Sequence, residues 1–116
     1  NRPMINKGIV IKFNAAQHYT TDAVSCAVFR DICESNDIPV QVFTNRSDTR
    51  GGSTLGNVSN AHVSLNTVDI GLAQLAMHSC YETVGARDTK HLVDAMTVFY
   101  SKTFKADAGG SFELLD

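Results

Sequence analysis

Three stretches of this chain carry residue types able to do chemistry. In one, Met77-His78 stands directly before Ser79-Cys80-Tyr81-Glu82. That Ser-x-x-Glu pattern predicts a helix start, closed by reciprocal side-chain and backbone hydrogen bonds. An imidazole held on such a shoulder suits a metal ligand, because a metal site needs its ligands oriented before the ion arrives. In another, Gly51-Gly52-Ser53-Thr54 follows a strand-like run, and successive backbone amides there can cradle an anion or polarise a carbonyl. This loop has neither the Gly-Lys-Ser/Thr ending of a Walker loop nor the Rossmann spacing. In the third, Lys12 lies inside an apolar strand, where it either emerges into solvent or meets an anion. Asp48 and Asp69 each follow a strand-like run and suit either a supporting carboxylate or a turn residue. Taken singly, each feature has a plainer and more common reading: a hydrogen-bonded structural histidine, a turn with glycines at positive φ, a lysine reaching water. His18, His62 and His91 have no partner at metal-ligand spacing.

The elements that must position these residues alternate between strand and helix. Gly8 to Phe13 is a β-branched run that predicts a buried strand. Thr20, Thr21 and Asp22 offer N-caps to an amphipathic helix carried by Val24, Ala27, Val28 and Ile32 to about Glu34. Asn36-Asp37 and Pro39 end it, and Val40 to Thr44 alternates as a second strand. Asn45 to Asn60 is polar and glycine-rich, and reads as loop. Thr67 to Ile70 is a third strand that Gly71 breaks, followed by a helix after Ser79. A last helix presents Leu92, Val93, Met96, Phe99, Tyr100 and Thr103, with Asp88 and Thr89 as capping candidates. Ala106 to Asp116 contains Gly109-Gly110 and reads as a loose tail. The order predicts an α/β sheet with helices packed on its faces.

Composition narrows the classes. The 116 residues, 43% hydrophobic and 19% charged, describe an ordinary globular domain or part of one. A net charge of −2 without a basic cluster argues against nucleic acid. No apolar run reaches membrane-spanning length, and no secretory signal is present. Cys26, Cys33 and Cys80 lack metal-type pairing and leave an odd thiol, so reduced cysteines in a cytoplasmic protein are the simplest expectation. The first residue is Asn, so the native start of translation is expected upstream.

Together the blocks resemble a known family. Ile9-Val10-Ile11-Lys12-Phe13-Asn14, Gln17-His18-Tyr19, Asn45-Arg46-Ser47-Asp48, Gly52-Ser53-Thr54-Leu55-Gly56, Thr67-Val68-Asp69-Ile70-Gly71 and Met77-His78-Ser79 with Glu82 are similar to the C-terminal portion of the aspartyl aminopeptidases. These are two-metal enzymes of the aminopeptidase I type. The agreement in order and spacing runs from about residue 8 to residue 104.

The resemblance implies part of a three-layer α/β/α zinc-peptidase-like catalytic domain, with a mixed sheet and helices on both faces. Residues 1–105 would form the C-terminal part of that domain and 106–116 its loose tail. It makes His78 a ligand of one of two divalent ions, expected to be Zn2+ with Mn2+ or Co2+ as alternatives. It places Lys12 to meet an acidic side chain at the substrate's N-terminus, Gly52, Ser53 and Thr54 to hold the substrate backbone, and Met77 to wall the pocket. Asp48 and Arg46 would brace the loop. The implied reaction is two-metal-assisted hydrolysis that removes N-terminal Asp or Glu from peptides. The further ligands and the catalytic base would lie upstream, so this chain alone is expected to be inactive. The expected partners are peptide substrate, the rest of the aminopeptidase chain and, in the parent enzyme, further copies, with no nucleic acid and no membrane. The sequence departs from the family pattern at His18, Arg50, Asn57, Leu72-Ala73 and Cys80-Tyr81, several of them beside the implied pocket. A non-catalytic, peptidase-derived scaffold is the alternative, and a phosphate-binding α/β domain rests only on the glycine loop.

Overall fold

Ile9 and Ile11 are fully buried and Val10 nearly so, as expected of a strand with neighbours on both edges and cover on both faces. The computed structural model, which describes residues 2–116, places this run in β1 (Ile9–Phe13). β1 is the middle strand of a mixed sheet. On one edge lies β2 (Val40–Thr44), parallel, and on the other β3 (Ile70–Gly71), antiparallel. Parallel pairing needs a crossover, and α1 (Ala23–Glu34) supplies it. Its start follows the capping expectation: Asp22 accepts from the Ser25 amide at 2.8 Å, and Ser25 Oγ accepts from the Asp22 amide at 3.0 Å. Its exit turns through Asp37, at a left-handed φ of 55°, and the Ile38 amide donates to the Cys33 carbonyl.

Side chains alternate across a strand, so Ile9, Ile11 and Phe13 share a face. That face receives Phe29 and Cys33 of α1 and Ala95 and Leu92 of α3 (Ala86–Ser101), with Ile38 completing the core. Full burial of an isoleucine contributes about 1.5–3 kcal/mol, so Ile9 and Ile11 anchor the sheet. The opposite face carries Val10 and Lys12, and the candidate site lies there.

Asp88 was expected to cap the last helix. Instead Gly85 occupies the N-cap, and Asp88 is fully buried one turn in. Its carboxylate accepts from the amides of Asn6 at 2.6 Å and Gly8 at 2.8 Å. The first turn of the chain is thereby pinned to the last helix. Gly8 sits at φ 111°, and a Cβ there would lie 2.1 Å from the Pro39 carbonyl oxygen, so no other residue fits.

Other expectations change in the structure. No helix starts at Ser79. Ser79 Oγ accepts from the Tyr81 amide at 3.1 Å, and Glu82 accepts from the His78 amide. The residues of the box thus satisfy the amides of a turn, and the β-branched Thr83 and Val84 go on to pair as β5 (Thr83–Val84) with β4 (Gln74–Leu75). The polar segment after β2 contains α2 (Leu55–His62), whose residues Leu55 and Val58 face solvent. A helix burying no apolar stripe gives no periodic signal. The third strand is shorter and later than the expected Thr67–Ile70 run, and Gly71 lies inside it as its last residue, paired with Val10.

Residues expected to trail as a tail form a hairpin of β6 (Thr103–Ala106) and β7 (Phe112–Leu115). Gly110 takes the turn at φ 81°, and Asp107 accepts from the Ser111 amide at 2.8 Å. Phe104 and Phe112 stack across it with centroids 5.3 Å apart. With α1 and α3 the hairpin encloses an apolar groove of about 510 Å³ lined by Val24, Val28, Met96, Phe99, Phe104 and Leu114. Among the described residues no helix is long and apolar enough to cross a membrane.

Candidate functional site

Register places Lys12 beside Asp69. The Lys12 amide donates to the Asp69 carbonyl at 2.9 Å just beyond the β1–β3 ladder. Cross-strand neighbours share a face, and Lys12 Nζ lies 2.7 Å from Asp69 Oδ1. The ammonium also stands 4.8 Å from the centroid of the Tyr19 ring, a cation–π geometry. Lys12 keeps 24% side-chain exposure and Asp69 9%. Lys12 therefore neither runs out into water nor stands alone. It is a half-covered cation held between a carboxylate and an aromatic face.

Asp69 gathers more than the lysine. Its second carboxylate oxygen accepts from Thr54 Oγ1. Its amide donates to Thr21 Oγ1 at 2.7 Å, and Thr21 is itself buried. The Thr54 amide donates to the His18 carbonyl at 3.4 Å. Two of the residues expected to bind substrate, Lys12 and Thr54, are thus joined through one carboxylate. Thr54 is the N-cap of α2 but makes no side-chain capping bond, because its hydroxyl is spent on Asp69. Gly56 packs against Thr20, where a Cβ would meet Cγ2 at 2.7 Å, which keeps the start of α2 close to the entry of α1.

Gly52 and Ser53 are exposed at the open side of this cluster. A Cβ at Gly52 would meet nothing within 4 Å, so the loop leaves free space there. Ser53 Oγ accepts from Asn57 Nδ2 at 3.0 Å. Arg46 and Asp48 form a two-point pair at 2.9 and 2.6 Å at the start of the loop. The Arg46 guanidinium holds the Asp48 carboxyl below its ordinary value.

Met77 and His78 lie in the exposed turn between β4 and β5. Ala76 and His78 both adopt left-handed backbone, at φ 50° and 65°, a conformation that costs a non-glycine residue energy and persists only where neighbours enforce it. For His78 the enforcing contact is Glu82 on its amide. No hydrogen bond or ion pair links this turn to the Lys12 cluster among the described residues. Nor do the described residues bring three or more His, Cys, Asp or Glu side chains together to hold a metal ion. Among the described residues the donor set does not fit two ions, and His78 offers one ligand.

In the sequence Asp69 reads as a supporting carboxylate or a turn residue, and Thr21 as a helix cap. Their contact spans 48 residues, and no local pattern reports a bond of that separation.

The family model described as aminopeptidase I zinc metalloprotease (M18) matches residues 1–100. The chain belongs to the M18 peptidase family. A Clostridium novyi protein named as a probable M18 family aminopeptidase 2 is 48% identical over 101 residues, covering 87% of this chain and 23% of that protein. Among solved structures, a chain of the cryo-EM Ape4–Nbr1 complex matches with a TM-score of 0.82 at 38% identity, over 84% of this chain and 19% of the other. The S. cerevisiae mApe1 dodecamer matches with a TM-score of 0.72 at 28% identity, over 85% and 21%. The M18 likeness fits the mixed α/β fold and the expected relation to aminopeptidase I catalytic domains. This chain spans less than a quarter of the length of these M18 relatives. The M18 match ends before the C-terminal hairpin, whose strands begin at Thr103.

Proposed function

We propose that this chain is the C-terminal part of the catalytic domain of a metal-dependent aminopeptidase that removes N-terminal acidic residues from peptides. Family membership supports the peptidase class. One observation carries the acidic preference: a lysine on an otherwise apolar strand, half-covered beside Tyr19 and tied through Asp69 to the Gly52–Thr54 loop. A carboxylate at the substrate's first residue would gain a charge-assisted hydrogen bond from Lys12. Gly52 and Ser53 present the loop's open side to the peptide backbone, Thr54 steadies the loop, and Met77 walls the pocket. His78 supplies one ligand to a pair of divalent ions, zinc by the family's description. The remaining ligands come from parts of the enzyme beyond this segment, so the segment alone is inactive. The parent enzyme is a homo-oligomer on this reading, since a matching M18 structure is a dodecamer.

The test uses the full-length enzyme that carries this segment. Peptides beginning with Asp or Glu should be cleaved faster than those beginning with Ala or Leu. His78→Ala should lower bound metal, read by elemental analysis of the folded protein, and abolish turnover. Undiminished metal content in His78→Ala would remove the ligand role. An enzyme with no preference for acidic N-termini would remove Lys12 from its assignment.

A further inference from the structure

We infer that Asp69 is the positioning residue that sets the charge selectivity of the Lys12 pocket, acting as a built-in competitor for the lysine that the substrate must share. This rests on the reading of Lys12 given above. The carboxylate that meets Lys12 Nζ at 2.7 Å belongs to the chain itself, so the ammonium does not present an unopposed positive charge. Asp69 is also not free to swing away. Its second oxygen is occupied by Thr54 Oγ1, its amide by Thr21 Oγ1, and its carbonyl by the Lys12 amide. A carboxylate fixed on every side and 9% exposed holds its charge in place whether or not substrate is bound.

A substrate carboxylate reaching Lys12 therefore arrives within a few ångströms of a second negative charge. At that range, with an effective dielectric near that of a protein surface, repulsion is large enough to change discrimination by an order of magnitude. Three consequences follow for the pocket. Acidic side chains are accepted but held less tightly than a lone lysine would hold them, which favours release of the amino-acid product. Neutral, hydrogen-bonding side chains lose less than they would against a bare cation. The same carboxylate keeps Lys12 and the Gly52–Thr54 loop in register, so charge preference and backbone positioning are set by one group.

The experiment compares kcat/KM for otherwise identical peptides beginning with Asp and with Asn, in the full-length enzyme. The Asp-to-Asn ratio is taken within each variant, so loss of active material cancels. Asp69→Asn keeps one acceptor oxygen for Lys12, turns an NH2 donor toward Thr54 Oγ1 and removes the charge, and should raise the ratio by roughly tenfold, mostly through a lower KM for the acidic peptide. Asp69→Ser, smaller and also neutral, should raise it in the same sense and serves if the asparagine variant does not accumulate. Lys12→Met should collapse the ratio, and Asp69→Asn added to it should recover part of the loss, because the repulsion from Asp69 persists once the lysine is gone. If Lys12→Met collapses the ratio while neither Asp69 variant raises it, the inference about Asp69 is wrong and the reading of Lys12 stands. If Lys12→Met leaves the ratio unchanged, the reading of Lys12 fails and the inference falls with it.

Discussion

Asp88 shows how much one buried carboxylate can hold. It is fully excluded from water, among the described residues no lysine or arginine is paired with it, and the amides of Asn6 and Gly8 donate to it. His91 Nδ1, at 3.8 Å, is too distant to serve as a further donor. Asp88→Ala strands both amides, and each unsatisfied buried group costs about 1–3 kcal/mol. We expect a loss of about 2–4 kcal/mol in denaturant unfolding, and a loss below about 1 kcal/mol would mean that water replaces the carboxylate at no great cost. The thiols provide a second residue-scale test. Burial pushes Cys33 up to about 11 and also raises Cys26, while Cys80 is exposed. At pH 8 an alkylating reagent should therefore label Cys80 first and Cys33 only on unfolding, because the thiolate is the reactive form. Rapid labelling of Cys33 in the native protein would contradict its burial. Lys12, His78 and the glycine loop stand out in the sequence because their residue types are unusual in their settings. Asp69 reads there as a supporting carboxylate or turn residue and Asp88 as a cap, and neither reading reaches its actual contacts, since a carboxylate's importance depends on which distant groups face it.

At the scale of elements, what could be read in advance was what is locally encoded. The β-branched run of β1, the alternation of β2 and the apolar spacing of α1 match their structures, since each is written within a dozen neighbouring residues. Asp22 is the sharpest case. Hydrogen bonding, first from the Ser25 amide, holds its carboxyl below the ordinary 3.8. Folding lowers this pKa, so the cap's contribution is full above the unfolded value and disappears as pH falls through the folded one. Asp22→Ala should cost about 1 kcal/mol near neutrality, and the gap to the unmutated chain should close on acidification below pH 3.8. A gap that does not narrow as the pH falls below 3.8 would point to packing rather than capping. Elements set by tertiary context were illegible. The Ser79–Glu82 box carries a helix-start pattern, yet its groups serve the turn that carries His78. The C-terminal hairpin was hidden by glycines that read as looseness, although Gly110 is the residue its turn requires.

For the whole molecule, the surface is the informative part. Leu55, Leu75, Met77, Tyr81 and Tyr100 are each more than half exposed, as are Val58, Val63, Leu65 and Val93. Apolar exposure on that scale is uncommon for a free-standing domain, and it fits a chain that spans less than a quarter of its relatives' length. The isolated chain should self-associate, and its elution volume in gel filtration should shift with concentration. A monodisperse monomer with a single cooperative melting transition would show that these side chains need no cover. The contact between the first turn and the last helix has a further consequence, for the order of events during synthesis. β1, the central strand, leaves the ribosome ahead of its partner β3 and of the Asp88 carboxylate that fixes its approach, which follow some 60 to 80 residues later. Contacts of such sequence separation close late. Until α3 has emerged, Ile9 and Ile11 have no complete core to enter, so over that interval this stretch depends on chaperones, or on segments made before it, to stay out of trouble.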